Sequence, residues 1–306
     1  MKVAIVGVGM VGATTAYSLV TQGVCRELVL IDKNVKKAVG EALDLNDCIS
    51  YLNRNTKIYA GSYEECHDAD IIVLTVSKMA PTDSKNTRVS MLKSSKEIIA
   101  DIVPQIMESG FNGIFVVISN PVDVISYYVH KLSKLPKNKI IGTGTSLDSS
   151  RLRGYLAELT NINPRYITAY TLGEHGDSQM IPWSNVSILG KNLSTYLNEN
   201  QEEHIKENTI KKGWKIVEGK NNTYYGVATA AVSIIKAIAN DDNNVVPVSV
   251  LLDGEYGEKD VFCSVPVVLN RNGASKIIEV EMTEQEDKKF KKSVEAIRKY
   301  IKMGGF

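Results

Sequence analysis

The first 32 residues place a short apolar run, three closely spaced glycines and an acidic residue in one order. Four apolar residues precede Gly7, Gly9 and Gly12, which have the spacing G-x-G-x-x-G. A stretch compatible with a helix follows, and a second apolar run ends at Asp32, 20 positions after Gly12. This order predicts a strand, a tight turn, a helix and a second, parallel strand, and it restricts the chain to few folds.

Each of these residues has a physical use in holding a dinucleotide. Gly7 permits the tight turn, Gly9 lets a pyrophosphate approach the backbone, and Gly12 allows close helix packing. The N–H groups of the helix start, at Met10 and Val11, face the phosphates with a partial positive charge. Asp32 accepts hydrogen bonds from a ribose 2′-OH and repels a 2′-phosphate, which favours NAD over NADP. A glycine triplet alone is weak, and the prediction depends on its combination with the strand, helix and acid.

Composition excludes several classes of protein. The 306 residues are 43% hydrophobic and 23% charged, with a formal net charge of +1, which is typical of a globular protein and gives no electrostatic reason to expect a nucleic-acid partner. The four cysteines form no C-x-x-C pair, so we expect reduced thiols and no metal site. No apolar stretch approaches the length of a membrane span. We therefore expect a cytoplasmic protein that contacts neither membrane nor nucleic acid.

The first half of the chain alternates short apolar runs with helical patterns. The predicted strands are residues 3–6, 28–31, 57–60, 71–75, 114–118 and 140–142. Uninterrupted Val/Ile/Leu runs suit parallel strands that helices cover on both faces. The sequence predicts an α/β protein whose residues 1–142 form a Rossmann-type doubly wound parallel sheet that binds the dinucleotide.

The second half has a different pattern. The apolar runs 245–252 and 261–268 flank a Gly-rich turn and predict an antiparallel pair of strands. Thr283 and Glu286 have the spacing of a capping box at the start of the last helix. We expect residues 143–306 to form an α+β substrate domain.

One histidine stands apart from the other three. His175 follows a predicted extended segment and is flanked within the motif LGEHGDS by Gly173 and Gly176. Flanking glycines permit an unusual backbone and an unobstructed imidazole, as a proton-transfer residue needs. A structural turn histidine explains the local pattern nearly as well.

Two further charged groups are candidates for the same site. Asp148 and Arg151 are three residues apart at a predicted helix start and share a face. They form either a local ion pair or a functional set, in which Arg151 binds a substrate carboxylate and Asp148 binds the histidine. Arg88 closes a polar stretch that suggests a lid, although a surface arginine is the default there.

Seven motifs then appear in one order along the chain. They are GVGMVG, DADIIV, NTR, ISNPVD, IGTGTSLDSSR, LGEHGDS and TYYGVA. Together they resemble the L-lactate/L-malate dehydrogenase superfamily, on the side of the lactate and L-2-hydroxyisocaproate dehydrogenases.

The resemblance implies an activity and a role for each matching residue. It implies reversible hydride transfer between NADH and a 2-oxo acid, in a homodimer or homotetramer. His175 matches the family's proton donor and acceptor, Asp148 the carboxylate that orients it, Arg151 the clamp on the substrate carboxylate and Arg88 the lid arginine that polarises the carbonyl. Asn120, before a proline that is often cis in the family, matches a contact to substrate and nicotinamide ribose. Thr223 and Val227 match positions that line the pocket.

The lid departs from the family pattern. Six residues before the lid arginine, lactate dehydrogenases carry a glutamine and malate dehydrogenases an arginine, whereas this count reaches Thr82. Without an arginine a second substrate carboxylate has no obvious partner, although Lys78 or Lys85 could substitute. The longer lid, with apolar residues at 79–81, suggests that bulkier 2-oxo acids such as 2-oxoisocaproate are accepted.

Three other functions share part of this sequence pattern with the L-2-hydroxy acid dehydrogenases. Malate dehydrogenase is the runner-up within the superfamily. A catalytically silent NAD-binding sensor would not need His175, Asp148, Arg151 and Arg88 together. An NAD-dependent glycosidase would need metal ligands, and no suitable Cys/His pair is evident in the sequence.

Overall fold

The first half of the chain forms the parallel sheet that the apolar runs predict. The computed structural model describes residues 1–77 and 87–305, and of residues 87–90 and 199 it describes only the backbone. The strands are β1 (Lys2–Val6), β2 (Glu27–Ile31), β3 (Lys57–Ala60), β4 (Ile71–Leu74), β5 (Ile114–Val117) and β6 (Ile140–Gly142). They pair in parallel in the order β3-β2-β1-β4-β5-β6, which is the doubly wound order.

Helices connect these strands. They are α1 (Met10–Thr21), α2 (Val35–Cys48), α3 (Thr87–Glu108) and α4 (Val122–Ser133). Every residue of β1, β4, β5 and β6 is buried, as strands covered on both faces should be. The crossovers bring the carboxyl ends of the strands to one edge of the sheet, where ligands bind in this fold.

The second half adds a small sheet and four long helices. Its helices are α5 (Ser146–Thr160), α6 (Glu199–Lys220), α7 (Tyr225–Asn240) and α8 (Glu284–Met303). Its strands are β7 (Ile167–Thr168), β8 (Ser187–Ile188), β9 (Lys191–Asn192), β10 (Asn244–Asp253), β11 (Lys259–Asn270) and β12 (Gly273–Ile277). The predicted antiparallel pair is confirmed as β10 and β11, and β7, β8 and β9 form a separate sheet.

The antiparallel strands continue the parallel sheet. β10 pairs with β6 through Ser249 and Gly142, so one sheet of nine strands runs from β12 to β3. The division at residue 142 stays a prediction, because the sheet crosses it without interruption.

The last helix packs on the far end of this sheet. The Thr283 side chain accepts a hydrogen bond from the backbone N–H of Glu286, and the Glu286 side chain accepts one from that of Thr283, which confirms the predicted capping box. Four apolar side chains that recur at helical spacing on this helix are buried in the core cluster that spans both halves of the chain: Phe290, Val294, Ile297 and Ile301. The helix thereby packs against β11 and α4.

Candidate active site

The glycine turn has the close contacts that the sequence predicts. Gly7 has φ +93°, a conformation that L side chains rarely adopt. A Cβ on Gly12 would lie 2.0 Å from the Gly7 carbonyl oxygen and 2.9 Å from the Thr75 hydroxyl. A Cβ on Gly9 would meet nothing within 4 Å, so the turn is open at the position where a phosphate must approach the backbone. Gly7 and Gly12 are therefore needed by the turn itself, and Gly9 leaves room for a ligand.

Asp32 is held beside this turn. Its carboxylate accepts hydrogen bonds from the backbone N–H groups of Val8 (2.9 Å) and Asn34 (2.9 Å). Gly9 is the N-cap of α1 and offers no side chain to the first turn, which starts at Met10. The unpaired N–H groups of a helix start carry a partial positive charge. An anion-binding helix end, an open backbone and a fixed acceptor thus fit the diphosphate and ribose of NAD.

A cavity of about 260 Å³ lies at the carboxyl ends of β5 and β6. Five of the predicted site residues line it: Asn120, Asp148, Arg151, His175 and Thr223, and the pocket residue Val227 lines it as well. Asn120 lies in the turn after β5, Asp148 and Arg151 lie on α5, and His175 lies in the loop of residues 173–179. Thr223 lies between α6 and α7, and Val227 lies on α7. The fold therefore brings together residues that lie up to 107 positions apart, from Asn120 to Val227.

Asp148 joins the two candidate cations of the cavity. Its Oδ2 lies 2.6 Å from Nδ1 of His175, and its Oδ1 lies 3.0 Å from Nη1 of Arg151. The local ion pair considered from the sequence is thus present, and the same carboxylate also binds the histidine. With Nδ1 engaged, Nε2 is the ring nitrogen left for a ligand in the cavity.

These contacts set the protonation of the pair. Burial lowers the pKa of His175, but the charge and hydrogen bond of Asp148 raise it by more, so the imidazole pKa lies above its ordinary value. Burial raises the pKa of Asp148, and His175 and Arg151 outweigh this, so the carboxyl pKa lies below its ordinary value. The pair therefore favours an imidazolium beside a carboxylate, which is a proton donor held ready at the cavity wall.

Of the remaining predicted site residues, the structure describes the side chain of Asn120 but not those of Arg88 and the lid. The Asn120–Pro121 peptide bond is cis, as the resemblance suggests, and the exposed Asn120 side chain lines the cavity. Arg88 lies in the first turn of α3, and its side chain is outside the described residues. Lys78, Thr82 and Lys85, with the apolar lid residues 79–81, are also outside them, so every expectation about the lid stays a prediction.

Asp123 is a buried acid of this cavity that the sequence did not predict. Asp123, the second residue of α4, accepts hydrogen bonds from the backbone N–H of His175 (2.8 Å) and from the Ser249 hydroxyl (2.6 Å). The available signal was a lone acid in the otherwise apolar start of α4, inside the ISNPVD motif.

Within residues 1–77 and 87–305, no group of three or more His, Cys, Asp or Glu residues is arranged to hold a metal ion. No helix among the same residues combines the length and the apolar character that crossing a membrane requires.

The doubly wound sheet, its glycine turn and the cavity beside it define the class of this protein as a nucleotide-dependent α/β dehydrogenase. Residues 1–142 match the lactate/malate dehydrogenase NAD binding domain, and residues 145–305 match the alpha/beta C-terminal domain of the same family. The chain belongs to the lactate/malate dehydrogenase family.

Relatives and solved structures agree with this family. The chain is 49% identical to L-lactate dehydrogenase 3 of Bacillus thuringiensis subsp. konkukian, over 100% of this chain and 98% of the relative. It is 44% identical to L-lactate dehydrogenase 1 of Bifidobacterium longum subsp. longum, over 98% of this chain and 96% of the relative. The ligand-bound minor L-lactate dehydrogenase from Enterococcus mundtii superposes with a TM-score of 0.95 at 40% identity, covering 98% of this chain and 97% of that one. The protein is an NAD-dependent oxidoreductase that acts on the CH–OH group of L-2-hydroxy acids.

Proposed function

We propose that this enzyme interconverts L-lactate and pyruvate, and that it also accepts 2-oxo acids with bulkier apolar side chains. The observation that carries the proposal is the contact of Asp148 with both His175 and Arg151 at the wall of one cavity. A 2-oxo acid has a carboxylate for an arginine and a carbonyl oxygen for a proton donor. The names of the similar lactate dehydrogenases support the substrate pair.

The proposed reaction assigns one task to each side chain. Arg151 binds the substrate carboxylate and so aims the carbonyl at His175. In the reducing direction His175 gives its proton to the carbonyl oxygen, and in the oxidising direction it takes the proton back from the hydroxyl. Asp148 holds the ring by Nδ1 and stabilises its charged form. Arg88 polarises the carbonyl from the lid.

The cofactor and the substrate meet at one edge of the sheet. We assign NAD binding to Gly7, Gly9, Met10, Val11, Gly12, Asp32 and Asn120. NAD supplies the hydride donor and acceptor of the reaction when it is bound. Asn120 and Thr223, which both line the cavity, would contact the substrate.

The substrate panel distinguishes this proposal from its alternatives. We expect NADH to be oxidised with pyruvate, 2-oxobutyrate and 2-oxoisocaproate. Between two substrates that differ by one methylene, kcat/KM should differ by no more than about 200-fold. Oxaloacetate should be used least well, because Arg151 is the one Arg or Lys among the described residues that line the cavity. A preference for oxaloacetate would instead establish a malate dehydrogenase. Failure to reduce any 2-oxo acid would leave the NAD-binding sensor as the better explanation.

Gly213 supports the acceptance of bulkier side chains. It lies on α6 at the cavity wall, where α6 also contributes the apolar residues Ile210, Trp214 and Val217. A Cβ on Gly213 would lie 3.5 Å from Nη2 of Arg151, an ordinary contact that need not displace the guanidinium. The added methyl would instead occupy the cavity beside the proposed carboxylate clamp.

We therefore expect Gly213→Ala to narrow the substrate range. The ratio of kcat/KM for 2-oxoisocaproate to that for pyruvate should fall about tenfold, as measured by NADH oxidation. Gly219→Ala is the matched control, because Gly219 is on the same helix and a Cβ there meets nothing within 4 Å. An unchanged ratio in Gly213→Ala would show that bulkier substituents occupy another part of the cavity.

We also propose a cytoplasmic homodimer or homotetramer. Val35, Val39 and Leu43 recur at helical spacing on α2 and are 66%, 42% and 64% exposed, a stripe of the kind that a second copy covers. Light scattering of the purified protein measures the mass of the assembly. We expect the mass of two or four chains, and the mass of one chain would contradict the proposal.

A further inference from the structure

A second buried carboxylate, that of Asp123, supports the loop of residues 173–179 that carries His175, called the histidine loop below. The reaction described above gives this carboxylate no task. Asp123 is 3% exposed. Its Oδ2 accepts the backbone N–H of His175, and its Oδ1 accepts the hydroxyl of Ser249 on β10. This one side chain therefore connects α4, which begins next to the Asn120–Pro121 turn, with the histidine loop and the nine-stranded sheet. The loop itself is anchored nearby, where Gly173 and Ser264 exchange backbone hydrogen bonds.

The charge of Asp123 is balanced by few groups. The titratable groups that face it are Glu174 and His175 of the loop and Cys263 of β11. Burial raises the pKa of Asp123 to about 6, although hydrogen bonds from Ser249 and from the His175 backbone hold it down. Above that pH the carboxylate is charged and buried. Its two hydrogen-bond donors, the His175 N–H and the Ser249 hydroxyl, are neutral, and the His175 imidazole acts on it through charge alone.

The same charge acts on the imidazole. Among the groups facing the His175 ring, Asp148 raises the pKa of the imidazole most, Asp123 raises it further, and Arg151 lowers it. The backbone hydrogen bond and the charge are separable effects, since an asparagine keeps an acceptor for the N–H and loses the charge.

We propose that Asp123 is a positioning residue of the reaction, which fixes the backbone of His175 and adds negative charge that keeps its imidazole protonated. This inference rests on the proposed role of His175 as proton donor. Two carboxylates then hold His175 in place: Asp148 binds the ring, and Asp123 binds the backbone N–H.

The test is the titration of His175 in Asp123→Asn. The chain has four histidines, so the imidazole signal of His175 can be assigned in NMR spectra as the one that disappears in His175→Asn. We expect the His175 pKa in Asp123→Asn to fall by about 0.3–1 unit, because one of two neighbouring negative charges is gone. Reduction needs the protonated ring, so the alkaline limb of kcat/KM for pyruvate should move to lower pH by the same amount. In Asp123→Asn, the value of kcat/KM on the plateau below this limb and the Kd of NADH should change less than about threefold, since asparagine keeps an acceptor for the His175 N–H.

Two further variants sharpen the result. Ser249→Ala removes a hydrogen bond that holds the Asp123 pKa down, so the carboxyl group is neutral to higher pH and the His175 pKa should fall in the same direction. The double variant should show no additional shift beyond that of Asp123→Asn, because the charge is already absent. Asp260→Asn is the control: this carboxylate binds Lys131 and Tyr127 near the other end of α4, and its loss should leave the His175 titration unchanged.

The outcomes separate this inference from the proposed function. An unchanged His175 titration in both Asp123→Asn and Ser249→Ala would overturn the inference, and so would a shift of equal size in Asp260→Asn. If Asp123→Asn does not fold, Ser249→Ala decides by the same titration. Turnover retained in His175→Asn would overturn the proposed function and with it the role in the reaction, whereas a shifted His175 pKa would still establish the charge coupling.

Discussion

Replacing His175 by asparagine is expected to lower kcat for pyruvate reduction by about 10²–10⁴-fold, the usual contribution of a positioned general acid. His175 lines the cavity, and Asp148 holds its Nδ1 at 2.6 Å. Asparagine can still donate to Asp148, but it has no group that releases a proton near neutral pH. The variant therefore removes the proton transfer while it keeps a partner for the buried carboxylate.

Binding measurements show whether the loss belongs to the chemical step. The Kd of NADH, followed by fluorescence, should stay within about threefold of the original value, because the glycine turn and Asp32 are untouched. The matched control is His204→Asn on α6, where the exposed ring contacts Asn208 of the same helix and does not line the cavity, and its kcat should be unchanged. Near-normal turnover in His175→Asn would show that His175 is not the proton donor of the reaction.

Local patterns in the sequence were sufficient to predict the parallel half of the fold. The glycine turn could be predicted because its determinants, Gly7 and Gly12, lie five positions apart and contact each other directly. Strands buried on both faces leave uninterrupted apolar runs, which is why β6 is found at the predicted residues and β4 and β5 end within one residue of the prediction. Such elements depend on interactions within one short segment.

Long-range pairing could not be predicted in the same way. β10 joins β6 through a single residue pair, Ser249 and Gly142, and neither residue type signals a strand contact. The sequence therefore predicted the antiparallel pair but not its pairing with the parallel sheet. β12 was missed because its sequence, GASKI, has no apolar run.

The site shows the same limit. Around His175 the sequence left a structural turn residue as an alternative, and the contact that distinguishes the two comes from Asp148, 27 positions away. Asp123 was missed because its partners, His175 and Ser249, are 52 and 126 positions from it. A buried carboxylate is recognised by what it binds, and the sequence does not show this.

A second large effect is expected at Arg151. In Arg151→Lys, the KM for pyruvate should rise about 100-fold, because hydrogen bonds between charged groups contribute about 3 kcal/mol and lysine cannot bind a carboxylate through two parallel donors. The arginine side chain is 10% exposed, and its Nη1 is bound to Asp148 at 3.0 Å. The guanidinium is thus fixed before substrate arrives, whereas a lysine would keep the charge and lose that orientation.

Steady-state kinetics with pyruvate, together with the Kd of NADH, measures this effect. The NADH affinity should be unchanged, because Arg151 lies on α5 and the nucleotide turn lies at the start of α1. Arg153→Lys is the matched control on the same helix: the Arg153 guanidinium donates to the Ala169 carbonyl at 3.2 Å and does not line the cavity, so the KM should stay the same. If Arg151→Lys left the KM for pyruvate unaltered, the substrate carboxylate would have to bind a cation of the lid, and Arg88 would become the first residue to replace.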